Sequence, residues 1–367
     1  MNKVEFKAEW NSINRHLASP SLSTREKVAR VALAILSVIV PIIGLTIGAA
    51  YLITWISGHL ANRMAHKKTL PSAYELTPEQ LEIKKAFHTF WDGPITAENE
   101  RIRKVFEATY HTVTTPDGAA LKTVWFRHKE ATAETPTLLY FGGNFQIYEQ
   151  SALWPFEKSI ETQTPFHLVT FNYRGVDGST GTVRRSKNLI LDGDAVVQWI
   201  RKEIGTLAER IHFYGLSLGG AVALQTQSLN PEELTGHNVN HNSFSHSSRM
   251  LEVLFGGGLV KRLVSWLFDW QEYSANPTEA FNRLKGKKLI IANPKDQVIP
   301  ERAGLQKAVQ HSHFFELKPK VPFQEESEKL KHHAAPLEWH EGAIEKVWNF
   351  LFERETPALA GVSGIEN

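Results

Sequence analysis

The stretch HFYGLSLGGAVAL, residues 212–224, constrains this chain more than any other. It reads as a short apolar strand, an abrupt turn, and then a helix of small residues. Ser217 stands on the turn, with Gly215 before it and Gly219 and Gly220 after it. A side chain on such a turn sits in a strained backbone conformation, and its neighbours must be small for strand and helix to pack around it. The plainer alternative is an ordinary strand-to-helix turn in which Ser217 caps the helix. What surrounds the turn decides between them.

From about residue 108 the chain alternates strand-like and helix-like runs. ATYHTVTTPDGAALKTVWFRH is two β-rich runs around Pro116-Asp117-Gly118, a hairpin. TLLYFGG, FHLVTFNYRG, RIHFYGL, HNVNHNSF, KKLIIANP and HFFELK follow, most of them apolar without alternation, as strands buried on both faces are. Helical stretches such as LILDGDAVVQWIRKEIG lie between them. The pattern predicts an α/β fold, a mostly parallel central sheet with helices on both faces and functional loops at the carboxyl ends of the strands.

In that setting Gly215-Leu216-Ser217-Leu218-Gly219 reads as a nucleophile on a G-x-S-x-G turn. A serine hydroxyl is a poor nucleophile near neutral pH, so a base and an orienting acid must follow it. KKLIIANP runs into Lys295-Asp296-Gln297, which puts Asp296 on the loop after a late strand and makes it the candidate acid. The base is expected on the loop before the closing helix, which Pro336 is expected to open, and that loop carries His332 and His333. His333 is preferred because it is nearer the helix start. His340 is placed inside the closing helix, and His311 and His313 precede the last strand, at the wrong end of the sheet. The turn delivers the backbone N–H of Leu218 to a forming oxyanion. LYFGGNFQIYEQ supplies the second donor from Asn144 or Phe145, Gly142 and Gly143 letting the backbone turn tightly.

FGGN, FNYRGVDGSTG, GLSLGGAVAL, NPKDQVIP and HHAAPLEW, in that order, resemble the landmarks of the α/β-hydrolase superfamily. The likeness covers about residues 108–355 and is strongest to membrane-anchored serine hydrolases; the chain is also similar to effector-like hydrolases of intracellular bacteria. The resemblance implies an α/β-hydrolase fold with Ser217 as nucleophile, Asp296 as acid, His333 as base, and Leu218 with Asn144 as oxyanion donors. Gly142 stands where the family usually has histidine. Arg174 in NYRG reads as a structural tie between loops.

The chain has 367 residues and no cysteine, which excludes disulfides, thiolate nucleophiles and Cys-ligated zinc. A formal charge of +2 without a basic run argues against nucleic acid as a partner. The histidine pairs lack a carboxylate-rich ligand spacing, so neither metal nor cofactor is expected. Charge is concentrated at the amino end, where residues 1–70 hold nine Lys/Arg against three Asp/Glu. Within that segment residues 31–62 carry no charged side chain, above the ~20 apolar residues a bilayer span requires. Pro41 and Gly44 also permit a re-entrant hairpin, each arm shorter than the ~30 Å hydrocarbon core. Either geometry makes a membrane the expected partner, with the hydrolase domain on the cytoplasmic side of the producing or host cell.

The expected organisation is a basic segment 1–27, a hydrophobic anchor 28–62, a helical connector 63–107, a hydrolase domain 108–355 and a tail 356–367. Between the sixth and seventh strands, about residues 247–275, the chain inserts SRMLEVLFGGGLVKRLVSWLFDWQEY. A cap over the active site is expected there, with Leu251, Leu254, Phe255, Leu263 and Trp266 facing substrate and Gly256–Gly258 as a hinge. The alternative is a helical pair packed on the sheet edge. Anchor and cap together point to an ester or thioester with a lipid-like acyl group. The competing readings are an esterase or amidase for small soluble substrates, and a tethered scaffold of the same fold without turnover.

Overall fold

Strands that bury both faces need two layers of helices, and the sheet is sandwiched in that way. The computed structural model describes residues 75–144, 146–246, 276–296, 298–309, 314–320 and 333–352. All of them belong to one compact unit, Asn62–Asn367. Eight strands form the sheet: β1 (Phe106–Thr114), β2 (Ala120–His128), β3 (Thr137–Phe141), β4 (His167–Phe171), β5 (Ile211–Leu216), β6 (Asn238–His241), β7 (Lys288–Ala292) and β8 (Phe314–Glu316). Their spatial order is β1-β2-β4-β3-β5-β6-β7-β8. β1 and β2 are antiparallel and β2 runs antiparallel to β4, whereas β4 through β8 are mutually parallel. This is the α/β-hydrolase arrangement that the motif order implies.

Successive side chains leave a strand on opposite faces. Leu138, Tyr214 and Val239 therefore join one apolar cluster, and Leu139, Phe141 and Phe213 join the other. The first cluster is covered by α1 (Pro78–Asp92), α2 (Trp154–Thr162) and, at the end of the chain, a helix over Ala343–Phe352. The second is covered by α3 (Ser186–Trp199) and α4 (Leu218–Gln227). The closing helix is α5.

Two expectations change here. α1 is more than a connector. Thr77 caps it through a reciprocal pair of bonds with Gln80, and its Phe87 and Trp91 are buried against Phe126, with Trp91 also against Phe156. α5 begins at Ala343, not at Pro336, because Pro336 instead precedes a single 3₁₀ turn, Leu337–Trp339. His340 follows that turn and meets the carbonyl of Pro336 through its Nδ1, at 3.2 Å. The uncharged stretch 31–62, the insertion 247–275 with Leu251, Leu254, Phe255, Leu263 and Trp266, and Phe145, His311, His313 and His332 lie outside the described residues. Among the described residues no helix is long and apolar enough to cross a membrane.

The crossovers place the site. From β3 the chain passes through α2 to β4 on one side, and from β4 through α3 to β5 on the other side of β3. The loops leaving the neighbouring strands β3 and β5 thus depart in opposite directions and open a crevice at their carboxyl ends.

Candidate active site

Ser217 ends β5 and begins α4 with φ 54° and ψ −117°, a region that costs a non-glycine residue about 1–3 kcal/mol. The glycines around it are sites of close approach. A Cβ on Gly215 would strike the backbone of Gly219 and Gly220, and one on Gly219 would strike the carbonyls of Phe141 and Gly142. A Cβ on Gly220 would lie 2.7 Å from Asn240 Nδ2. The turn is anchored from below by a bond from Ser217 N to the carbonyl of His241, at 2.8 Å.

The partners arrive from the far end of the sequence. Ser217 Oγ is 2.8 Å from His333 Nε2, and His333 Nδ1 is 2.6 Å from Asp296 Oδ2. Because a carboxylate only accepts, Nδ1 carries the proton and Nε2 is left to accept from the serine hydroxyl. Asp296 is held in turn: its Oδ1 accepts from the N–H groups of Val298 and Ile299 at 2.8 and 2.9 Å. His333 and Asp296 are each 6% exposed, while Ser217 is half-buried at the crevice. A buried acid thus fixes the imidazole, and the imidazole addresses a half-buried hydroxyl.

The loop after β3 closes over the elbow. A Cβ on Gly143 would lie 3.6 Å from Ser217 Cβ, so the two loops are in near contact. Gly143 N–H donates to Gln146 Oε1 at 2.7 Å, which braces the turn. Among the described residues, neither Asn144 N–H nor Leu218 N–H donates to another group. Leu218 also opens α4, where unpaired N–H groups and the helix field favour negative charge. Ser217, His333 and Asp296 are thus joined in one hydrogen-bonded run, with Leu218 next to Ser217 in the chain and Asn144 on the loop that lies against the elbow. The arrangement can activate a hydroxyl, orient the base that takes its proton, and present amides to an oxyanion.

A model of the family described as Chlamydia CHLPS protein (DUF818) matches residues 15–297 of this chain. The chain belongs to that family. The CHLPS-type chain is also similar to Protein bem46 of Schizosaccharomyces pombe, 24% identical over 207 residues, 55% of this chain and 66% of bem46. It spans just under two thirds of that curated relative. Among solved structures, an esterase of Pyrococcus furiosus is 18% identical with a TM-score of 0.46, covering 71% of this chain and 97% of that one. Acetyl xylan esterase 1 from Thermoanaerobacterium sp. is 14% identical with a TM-score of 0.45, covering 74% and 99%.

Two contributors in this CHLPS-family chain escape a reading of motifs. Gln146 braces the loop of Asn144, and His241 supplies the carbonyl that anchors Ser217. Burial lowers the His241 side chain to about 3, aided by neighbouring His340 and His333, and its Nδ1 meets the Tyr214 hydroxyl at 2.7 Å. It is a neutral neighbour of the site. The signal in the sequence is three polar residues, Asn238, Asn240 and His241, in one short strand, which the structure shows to be wholly buried.

Proposed function

We propose that this chain is a serine hydrolase that cleaves a carboxylic ester or thioester through an acyl-enzyme. The observation that carries the reading is the continuous run of hydrogen bonds from Ser217 Oγ through His333 to Asp296. Ser217 attacks the acyl carbon while His333 Nε2 takes its proton and later returns it to the leaving group. Asp296 holds the imidazole in the required tautomer and stabilises the imidazolium that forms. The oxyanion is received by the N–H groups of Leu218 and Asn144, each such donor being worth about 100- to 1,000-fold in rate. A fluorophosphonate probe should label the wild-type protein and leave Ser217→Ala unlabelled; an unlabelled wild type ends the reading.

The substrate class rests on sequence. The uncharged stretch 31–62 supports attachment to a membrane, and the apolar insertion 247–275 supports an acyl chain as the group recognised. Full-length protein should sediment with membranes and resist extraction by high salt or carbonate. A chain starting near residue 70 should stay in the supernatant and still react with the probe. Burying each methylene contributes about 0.8 kcal/mol, close to fourfold per carbon, so kcat/KM should climb with acyl length. Leu254→Glu combined with Trp266→Glu should flatten that climb and spare short esters. A profile that falls from acetyl upwards would favour small polar esters instead.

A further inference from the structure

Asn242 follows β6 directly, between the strands that deliver the nucleophile and the acid, and is 4% exposed. Its φ is 46°, in the left-handed region. Its amide reaches in two directions. Nδ2 donates to the carbonyl of His333 at 2.7 Å, and Oδ1 accepts from the N–H of Asn293 at 2.8 Å. A carbonyl on one side and an N–H on the other leave only one orientation of the amide. Asn293 in turn shapes the acid's turn, its side chain accepting from Lys295 N at 2.9 Å and its carbonyl from Asp296 N at 3.1 Å. The preceding residue, His241, already holds Ser217 N. The end of this one strand therefore bonds to the loops that carry Ser217 and His333 and, through Asn293, to the loop of Asp296.

We infer that Asn242 is a positioning residue: it couples the backbone under His333 to the turn under Asp296, setting imidazole and carboxylate at bonding distance. This rests on the hydrolase reading above. Glycine would adopt the same left-handed turn at less steric cost, and Asn tolerates it because its side chain bonds locally. Here the amide bonds across the fold, to residues 51 and 91 positions away, so the side chain rather than the turn is what the position requires.

Asn242→Gly keeps the turn and removes both bonds. Asn242→Asp keeps the acceptor for Asn293 and turns a carboxylate oxygen toward the His333 carbonyl. Hydrolysis of a short p-nitrophenyl ester, normalised to titrated active sites, separates kcat from KM, and urea unfolding checks the fold. We expect kcat to fall about 10- to 100-fold in both variants, because a displacement near 1 Å costs that much, with KM within about twofold. Probe labelling should slow in parallel. Folded variants with kcat within about threefold of wild type overturn the inference. So does a rise in KM at constant kcat, or a failure of both variants to fold, which would make the amide a support of the fold alone. An inert wild type would instead overturn the hydrolase reading on which this rests.

Discussion

Two clusters of charge stand at the carboxyl edge of the sheet, and they are built differently. Arg174, on the loop after β4, is 3% exposed and ringed by carboxylates. Its Nε donates to Asp192 Oδ1 at 2.8 Å, its Nη1 and Nη2 to Asp117 at 2.6 and 2.9 Å, and its backbone N–H to Asp192 Oδ2 at 3.0 Å. The cluster ties the β1–β2 turn to α3, and its hydrogen bonds close on themselves. The run from Asp296 through His333 does not close. It stops at Ser217 Oγ, on a residue held in a strained conformation and left half-buried. Charge whose partners lie within its own cluster fixes loops; charge whose last bond ends on a half-buried hydroxyl can do work on a substrate.

The largest effect should come from breaking the open run. Ser217→Ala or His333→Ala should lower kcat by about 10⁴-fold or more, and combining them should add little, because the members act as a unit. Stability should move by no more than about 0.5 kcal/mol for Ser217→Ala, since no core packing is removed. Asp296→Asn should cost somewhat less than His333→Ala. Breaking the closed cluster should do the reverse. Arg174→Met leaves Asp192 buried without its partner, which should destabilise the fold by about 3–5 kcal/mol in urea unfolding. Turnover per folded molecule should stay within about threefold, because the two clusters share no hydrogen-bond partner. An Arg174→Met protein that is folded yet inactive would erase the distinction.

The open run was legible in part because its constraints are local. The glycines of the elbow, the apolar strands and the order of Ser217, Asp296 and His333 are all visible within short windows. Arg174 could be read as a tie because NYRG sits between strand and turn, but its partners Asp117 and Asp192 belong to other elements. The harder residues are those whose reason is distant. Asn242 looks like one polar residue among several in HNVNHNSF, and only the arrival of residues 293 and 333 gives its amide a use. α1 reads as a connector in the sequence because much of its surface is polar; Phe87 and Trp91 become core only once Phe126 and Phe156 stand opposite them. Pro336 suits a helix start by a local rule that a 3₁₀ turn satisfies equally well.

The smallest effect sharpens the comparison through pH. The Arg174 guanidinium draws the Asp117 carboxyl down from 3.8 to about 2, partial burial opposes it, and the Thr115 hydroxyl, at 2.6 Å, assists. The unfolded chain therefore takes up this proton first, as pH falls through its ordinary value, and the folded protein takes it up only near 2. Between those values the unfolded state holds more protons, so the contribution of Asp117 is complete above the ordinary value and is lost as pH falls toward 2. Asp117→Asn lacks that contribution at every pH. The gap in urea midpoint between wild type and Asp117→Asn should accordingly be widest near neutrality and should close through that window. It should be modest throughout, because the Asp117 side chain is 39% exposed and solvent screens the pair. Ser217→Ala carries no titrating difference and should track wild type across the same range. A gap for Asp117→Asn that stays constant down to about pH 2 would mean that Asp117 holds its turn by shape and neutral hydrogen bonds, and that Asp192 alone answers Arg174.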